Sequence, residues 1–272
     1  MTLPRIQRMK QDGQKSVCVV AWDYQMARIA DRAGVDIISV GDTVGLNLWG
    51  HSNPLEITME EMLVVAKAVR RGTERALVSC DFPFGPLQEG PDEAVRAAIR
   101  LVKEAGVDVV KLDGASDYPE AVAAVAKAGI PVFAQFGITP QTALHYGVDY
   151  GAMASGDAGI PDEMLEELVR QARLLEDAGA SLLNFTNSGP VIGPAVVEAV
   201  SIPVLGGMGG GPWLDGRIRM ITAAIGYHAS NIDDEKDTYA NVARITLQAI
   251  EQYATDVRAG EQIRSGTPRP NA

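Results

Sequence analysis

Cysteines and long apolar runs are scarce in this sequence. Only two of its 272 residues are cysteines, Cys18 and Cys80, and both sit in apolar runs that predict buried strands, so a disulfide framework is not expected. No apolar run reaches the roughly 18 residues of a membrane-spanning helix, and residues 1–16 contain no apolar segment of the signal-peptide type. We therefore predict a cytoplasmic protein without a membrane partner.

Positive charge is in deficit. The chain has 24 Lys and Arg residues against 35 Asp and Glu residues, which gives a formal net charge of -11. Because such a field repels phosphate backbones and anionic lipid surfaces, we expect no nucleic acid partner. An anionic substrate is still compatible with this charge, since a metal ion or a lysine reverses the potential inside one cleft.

Histidine clusters and nucleotide-binding fingerprints are absent as well. His51, His145 and His228 lie far apart without a zinc-site spacing, so we expect solvated or hydrogen-bonded loop residues. The glycine-rich segment 206–211 follows a predicted strand but lacks the acidic partner of a dinucleotide site and the residues of a P-loop. Two interpretations of this segment remain open: an anion cradle of backbone N–H groups, or a flexible loop beside the active face.

The chain does contain a repeated unit of helix, tight turn and strand. Four joints share an Ala-Gly pair followed by a short apolar run, and they are residues 33–36, 105–108, 128–131 and 178–181. Glycine is the residue that most readily adopts the left-handed conformation of a helix cap. Each joint therefore predicts a helix that ends at Gly and continues at once into a strand.

These repeats predict a (β/α)8 TIM barrel in a single α/β domain over residues 1–272, close to the roughly 250 residues typical of that fold. Near-continuous apolar runs are typical of parallel strands covered on both faces. The predicted strands are residues 17–21, 37–40, 76–80, 109–112, 132–135, 182–185 and 204–206, with a weak eighth near 225–232. The predicted helices are residues 58–70, 92–104, 119–127, 162–177, 194–200, 214–224 and a C-terminal helix over 237–259, followed by a loose tail over about 262–272. An open doubly wound sheet is the alternative.

Acidic residues end three successive predicted strands. Asp42 and Asp81 follow the second and third strands, and Asp113 follows the fourth, two residues after Lys111. Since these strand ends share one rim of a parallel barrel, the side chains should converge. Any one aspartate is compatible with a simple helix or turn cap, but converging carboxylates repel unless a hard cation takes their oxygens. The sequence thus predicts a Mg²⁺, Mn²⁺ or Co²⁺ site with Asp42 and Asp81 as direct ligands and Asp113 bound directly or through water.

Lys111 interrupts an apolar run, so its ammonium group must be paired or functional. The structural interpretation is an ion pair with Asp81 or Asp113. The functional interpretation is that Lys111 fixes a substrate carboxylate or a developing enolate oxygen. A third interpretation is a Schiff-base lysine, which needs no metal.

At these residues the chain resembles the ketopantoate hydroxymethyltransferase family of the phosphoenolpyruvate mutase and isocitrate lyase-like barrels. The matching segments, in the same order along residues 17–225, are Ala21-Trp22-Asp23-Tyr24, Val40-Gly41-Asp42-Thr43-Val44-Gly45, Gly50-His51, Val69-Arg70-Arg71-Gly72, Asp81-Phe82-Pro83-Phe84, Val110-Lys111-Leu112-Asp113-Gly114 and Gly137-Ile138-Thr139-Pro140-Gln141. The resemblance implies a homo-oligomer in the form of a decamer and Mg²⁺ at the residues matching Asp42 and Asp81. It also implies transfer of a one-carbon unit from methylenetetrahydrofolate to 2-oxoisovalerate in pantothenate biosynthesis.

The resemblance also shows where this sequence departs from the family. Asp113 stands where the family has a metal-associated Glu, Lys111 matches a substrate-binding lysine, and Thr43 replaces a substrate-contacting Ser. Thr186 stands where the family has a general-base Glu after the sixth strand, and Gln135 stands in place of a His. Thr186 is the best match to the missing base, but a neutral hydroxyl does not readily take a carbon-bound proton at pH 7.

The leading hypothesis is therefore a metal-dependent, aldol-type hydroxymethyltransferase, in which the enolate of a 2-oxo acid attacks a one-carbon unit. The second is a carbon–carbon lyase that runs this chemistry backwards, since retro-aldol cleavage needs a base only for a hydroxyl proton. The third, suggested by the missing Glu, is a catalytically inactive barrel that serves as a binding or assembly subunit. The predicted site residues are the metal ligands Asp42, Asp81 and Asp113, the catalytic residues Lys111, Asp113 and Thr186, and the substrate contacts Thr43, Asp42, Asp81, Lys111 and Gln135.

Overall fold

Eight strands in sequence order close into a parallel barrel in the computed structural model, which describes residues 1–147, 161–234 and 237–261. Neighbouring strands pair in register, as Cys18 with Ile37 and Ile37 with Leu77. The strands are β1 Ser16–Val20, β2 Ile37–Val40, β3 Leu77–Asp81, β4 Val109–Leu112, β5 Val132–Gly137, β6 Leu182–Thr186, β7 Val204–Gly206 and β8 Gly216–Met220. This architecture confirms the predicted (β/α)8 barrel and excludes the open sheet.

Helices connect the strands, and their ends follow local sequence signals. The helices before β8 are α1 Leu3–Gln11, α2 Tyr24–Ala33, α3 Met59–Gly72, α4 Pro91–Ala105, α5 Pro119–Lys127, α6 Leu165–Asp177 and α7 Ile192–Ala199. Thr58 begins α3 with a capping box, in which Thr58 and Glu61 satisfy each other's backbone N–H groups. Gly34 and Gly106 end α2 and α4 with φ angles of 86° and 69°, as the repeated Ala-Gly joints predicted.

Helix α1 was not predicted, because residues 1–16 are polar. Thr2 caps it, and Ile6 and Met9 are its buried residues. Lys10 donates from Nζ to the carbonyl oxygens of Val197 and Ile202, at 2.9 and 3.1 Å. These carbonyls precede β7, so Lys10 ties α1 to the segment that leads into the amino end of β7.

The eighth strand lies earlier than the weak candidate near residues 225–232, and that prediction is wrong. Strand β8 occupies Gly216–Met220, within the segment predicted as a helix over 214–224. Arg217 is exposed while Gly216 and Ile218 are buried. A strand with this alternation lacks the continuous apolar run that identifies the other strands.

The chain divides into two compact units, Met1–Arg219 and Met220–Ala272. Within the second unit, the helices are α8 Ile221–Ala224 and α9 Val242–Arg258. The predicted C-terminal helix is confirmed but begins later than residue 237, because Asp237 has a left-handed φ of 57° and Asn241 caps the helix. The tail over 262–272 lies outside the described residues, and one domain over the whole chain stays a prediction. No helix of the described segments is long and apolar enough to span a membrane.

The pairing register decides which side chains face the barrel interior. Val17 is exposed and Cys18 is buried, so the inward face of β1 is that of Cys18. Directly paired residues of parallel neighbours share a face, and alternate residues along a strand do so too. Following the register from Cys18 to Ile37 and onwards gives a polar inward set that contains Ser39, Ser79, Asp81, Lys111, Gln135, Asn184 and Thr186.

Candidate active site

Three aspartates and one lysine meet at the carboxyl ends of β2, β3 and β4. Asp42 follows β2, Asp81 ends β3, Lys111 lies in β4 and Asp113 follows it; all four side chains are buried. The carboxyl ends of the strands form the active rim of this fold. The proximity of the aspartates is visible in the electrostatics, since, in addition to burial, repulsion from Asp81 and Asp113 raises the pKa of Asp42 and repulsion from Asp81 raises the pKa of Asp113.

Lys111 is the positive centre of this acidic cluster. Its Nζ donates to Asp81 Oδ2 at 2.9 Å, so the predicted ion pair with Asp81 is present. Burial alone lowers the pKa of Lys111, but attraction from Asp81, Asp42 and Asp113 outweighs burial and raises it above the usual 10.5. A Schiff-base nucleophile needs a neutral amine. The geometry therefore favours a charged lysine that binds anions over a Schiff-base lysine.

Burial and repulsion from neighbouring carboxylates disfavour the charged form of these aspartates. Burial, followed by repulsion from Asp81 and Asp113, raises the pKa of Asp42 from 3.8 to about 8. Burial also raises the pKa of Asp113 to about 7, against hydrogen bonding from Thr139 that lowers it. The pKa of Asp81 is raised by burial, although Lys111 opposes this shift. One ammonium group thus faces three carboxylates, and the cluster favours an added positive charge.

The cluster also contains unsatisfied oxygen atoms. Asp81 Oδ1 and Asp113 Oδ1 are buried and accept no hydrogen bond. Gln141, from the loop after β5, donates from Nε2 to Asp42 Oδ2 at 2.8 Å and to the Phe82 carbonyl at 3.1 Å. No local sequence signal singles out Gln141 as a partner of Asp42, because only the closed barrel brings the two together. Buried carboxylate oxygens without partners are the donor atoms that a hard divalent cation takes.

The arrangement of the described side chains limits how many of them would coordinate one metal ion. Among them, no group of three or more His, Cys, Asp or Glu side chains is arranged to hold one ion. Mg²⁺ commonly keeps several waters and takes only one or two protein carboxylates. A metal ion held here would therefore take at most two of these side chains as direct ligands.

Thr43 lies beside this cluster. It is partly buried, follows Asp42 directly and accepts at its backbone carbonyl from Asn47 Nδ2 at 2.8 Å. A π-helical turn, Gly45–Trp49, follows it. Turns of this kind are frequent at functional sites. Thr43 is thereby placed at the rim, next to the predicted metal ligands.

The rim at β5 and β6 is uncharged. Gln135 and Thr186 are both buried, and Gln135 Nε2 donates to Thr186 Oγ1 at 3.1 Å. Strand β6 carries no carboxylate and continues into Asn187 and Ser188, both buried. Two of the positions at which the resemblance implies a departure from the family, Gln135 and Thr186, are thus direct hydrogen-bond partners, a relation that the sequence alone did not indicate.

The glycine-rich segment packs against the end of β6. The Asn187 N–H donates to the Met208 carbonyl at 2.7 Å, and a Cβ atom added to Gly209 would lie 2.8 Å from Asn187 Cα. A Cβ atom added to Gly210 would lie 2.9 Å from the Gly206 carbonyl oxygen. Glycine is required here because two backbones approach closely, and this packing accounts for the segment without an anion cradle.

Comparisons with known proteins identify the family of the chain. The sequence profile of ketopantoate hydroxymethyltransferase matches residues 1–262. A 3-methyl-2-oxobutanoate hydroxymethyltransferase of a Cyanothece species is 37% identical over 269 residues, which cover 98% of this chain and 99% of the relative. The enzyme of the same name from Pyrococcus furiosus is 36% identical, with 96% of this chain and 89% of the relative covered.

Solved structures of lower identity share the fold. A 2,3-dimethylmalate lyase of the PEP mutase/isocitrate lyase superfamily superposes with a TM-score of 0.62 at 15% identity, covering 100% of this chain and 93% of the lyase. Phosphonopyruvate hydrolase in complex with oxalate and Mg²⁺ gives a TM-score of 0.59 at 15% identity, covering 96% and 88%. The profile match and the relatives at 36% and 37% identity show that the chain belongs to the ketopantoate hydroxymethyltransferase family.

Proposed function

We propose that this protein is a metal-dependent enzyme that converts a 2-oxo acid such as 2-oxoisovalerate into its enolate and joins it to a one-carbon unit. The observation that carries the proposal is the buried cluster of Asp42, Asp81 and Asp113 around a single lysine. Such a cluster has excess negative charge and carboxylate oxygens without hydrogen-bond partners, so a bound cation would stabilise it. The names of the relatives give hydroxymethyl transfer, and methylenetetrahydrofolate is the one-carbon donor that the family resemblance implies.

Asp42 and Asp81 would hold the divalent metal, with Asp113 reaching it through water. Mg²⁺, Mn²⁺ or Co²⁺ in this place supplies the positive charge that stabilises an enolate oxygen. Lys111 keeps its proton and binds the carboxylate of the 2-oxo acid or the developing enolate oxygen. Thr43 positions the substrate at the rim.

Thr186 has a different task from the family's Glu. Its hydroxyl is neutral and accepts a hydrogen bond from Gln135, so it orients a bound group and does not serve as the carbon base. This uncharged end of β6 favours a second candidate function, carbon–carbon bond cleavage by a retro-aldol reaction. That reaction removes a hydroxyl proton in place of a carbon-bound proton.

Measuring the binding of Mg²⁺ and 2-oxoisovalerate tests the proposal. Calorimetry on the wild-type protein should detect Mg²⁺ together with 2-oxoisovalerate, whereas Asp42→Asn and Asp81→Asn should each weaken this binding by about 100-fold or more, since each removes a direct ligand. Asp117→Asn, at an exposed aspartate after β4, is the matched control and should bind as the wild type does. Unchanged binding in both site variants would contradict Asp42 and Asp81 as the metal ligands, and absence of binding by the wild type would favour an inactive barrel that binds no metal.

Product analysis separates the two reactions. Folate-dependent formation of a hydroxymethylated 2-oxo acid identifies the transferase. Release of pyruvate or glyoxylate from a hydroxylated acid, without folate, identifies the lyase. If Asp42→Ala and Asp81→Ala leave cellular function intact, neither reaction is the biological role.

We also propose a homo-oligomer that works in the cytoplasm. Helix α9 exposes Ile250, Tyr253 and Val257 on one face, an apolar stripe suited to contact with another subunit. Both cysteines are free and buried, as suits a reducing compartment. Light scattering coupled to gel filtration tests the assembly, and a monomer at micromolar concentration would refute it.

A further inference from the structure

The segment after β5 forms a tight turn, Thr139-Pro140-Gln141-Thr142, which we call the rim turn. The Thr142 N–H donates to the Thr139 carbonyl at 3.1 Å, and Pro140 stands at the second position, where its fixed φ favours a turn. The Thr142 side chain closes the turn as well, since its Oγ1 accepts from the Thr139 N–H at 3.2 Å and lies 2.7 Å from Thr139 Oγ1. These hydrogen bonds fix the backbone from which Gln141 projects.

The rim turn contacts the ends of all three strands that carry the aspartates. From Gln141, Nε2 donates to Asp42 Oδ2, after β2, at 2.8 Å and to the Phe82 carbonyl, after β3, at 3.1 Å. After β4, a Cβ atom added to Gly114 would lie 2.9 Å from Thr142 Cγ2, so the turn also packs closely against that strand end. In the sheet β5 pairs with β4 and β6. The Gln141 side chain therefore joins β5 to two strand ends, those of β2 and β3, that strand pairing does not connect to it.

Gln141 and Lys111 hold their aspartates by different chemistry. Lys111 binds Asp81 through an ammonium group, whose charge repels a cation placed beside it. Gln141 binds Asp42 through a neutral amide and takes one of the roughly four lone-pair positions of that carboxylate. The amide therefore fixes the orientation of Asp42, while the negative charge and the remaining lone pairs of Asp42 stay available to a metal ion.

We propose that Gln141 is a positioning residue for the metal ligand Asp42, and that the rim turn holds this carboxylate in the orientation in which it binds the ion. Because Phe82 follows Asp81 directly, the same amide also fixes the spacing between the two strand ends that carry the proposed ligands. Side chains that hydrogen-bond metal ligands typically contribute about 10–100-fold to metal affinity. Gln141 thereby contributes to the strength of metal binding although it is not one of the proposed ligands.

The inference rests on the proposed function, and calorimetry on the full-length protein tests it, with Mg²⁺ as the probe in the absence and in the presence of 2-oxoisovalerate. In Gln141→Met the side chain keeps its length but has no N–H donor, so Mg²⁺ should bind about tenfold more weakly than in the wild type. The matched control is Gln88→Met, because Gln88 lies in the loop after β3 and its Oε1 accepts from the Gly85 N–H at 2.8 Å, within its own loop. Gln88→Met should bind Mg²⁺ as the wild type does.

A second measurement separates positioning of the ligand from damage to the rim turn. At saturating Mg²⁺, Gln141→Met should bind 2-oxoisovalerate with the affinity of the wild type, since the ion, once bound, again fixes Asp42. A rim turn that had lost its structure would instead leave binding of the acid weak at every Mg²⁺ concentration, and that result would overturn the inference. Urea unfolding in EDTA should give similar midpoints for Gln141→Met and Gln88→Met.

Two further results would overturn the inference and leave the proposed function standing. The first is an equal Mg²⁺ affinity in Gln141→Met and the wild type. The second is equal weakening in Gln141→Met and Gln88→Met, since the loss would then follow from removing any amide of a rim loop. Absence of Mg²⁺ binding by the wild type, with and without the 2-oxo acid, would instead contradict the proposed function, and this inference with it.

Discussion

Removing the positive charge of Lys111 is the sharpest test of the electrostatics of the acidic cluster. Its Nζ lies 2.9 Å from Asp81 Oδ2, and the side chains are 9% and 7% exposed. At an effective dielectric constant near 20, that separation corresponds to roughly 6 kcal/mol of attraction. Deleting one partner of a buried pair costs about 3–5 kcal/mol, because the other charge stays buried without compensation. We expect Lys111→Met to lower the free energy of unfolding by about that amount.

Urea unfolding at pH 8 in the presence of EDTA measures the free energy of unfolding that Lys111→Met loses. The matched control is Lys67→Met, since the Lys67 side chain is 41% exposed and lies 3.9 Å from Glu104. An exposed pair of this kind contributes at most about 1 kcal/mol. The loss in Lys111→Met should shrink at pH 5, where Asp42 and Asp113 are protonated because their pKa values are raised to about 8 and about 7. If Lys111→Met and Lys67→Met lose the same small amount at pH 8, the reasoning about the cluster is refuted.

Three further predictions concern pH, a close backbone contact and a helix cap. The pKa values of Asp42 and Asp113 are raised from 3.8 to about 8 and about 7, so their favourable contribution to stability is complete below pH 4 and is lost as the pH rises through 7 and 8. The thermal unfolding midpoint of the metal-free protein should therefore fall as the pH rises from 5 to 8, and Mg²⁺ should restore it. A midpoint that Mg²⁺ does not raise at pH 8 would contradict this prediction. Gly137→Ala should lower the free energy of unfolding by about 2 kcal/mol or more, because φ is +90° and the new Cβ would lie 2.7 Å from a β6 carbonyl oxygen. Gly34→Ala is the control, since φ is +86° but the nearest atom to the new Cβ is 3.8 Å away, so this variant has the backbone strain without the clash. Equal losses by chemical denaturation in these two variants would argue against the close contact. Thr58→Ala should lower stability by about 1 kcal/mol through loss of the capping box, and no change in the urea midpoint would count against that role.

Two residues at which the resemblance implies a departure from the family sequence contact each other in the structure. By the family resemblance, Thr186 and Gln135 stand at the positions of a Glu and a His, and they form one hydrogen bond in the barrel interior. The pair therefore makes an uncharged part of the rim at β5 and β6, next to β4, the strand that carries Lys111.

The sequence alone determined the features that depend on neighbouring residues. Apolar runs marked seven of the eight strands, and Ala-Gly joints marked helix ends, since a left-handed cap and a strand both arise from local backbone preference. The acidic ends of β2, β3 and β4 were recognised for the same reason, because each aspartate adjoins its own strand. Strand β8 was not recognised from the sequence, since its half-exposed alternation, with Arg217 outward, looks locally like an amphipathic segment.

Only the tertiary structure decided which side chains touch. Gln135 and Thr186 lie 51 residues apart, and Gln141 and Asp42 lie 99 residues apart, so no local pattern connects them. Their contacts depend on strand register and on closure of the barrel, which fix the inward face of every strand at once. The choice of Asp81 as the partner of Lys111 has the same origin, because the two residues are directly paired on neighbouring strands.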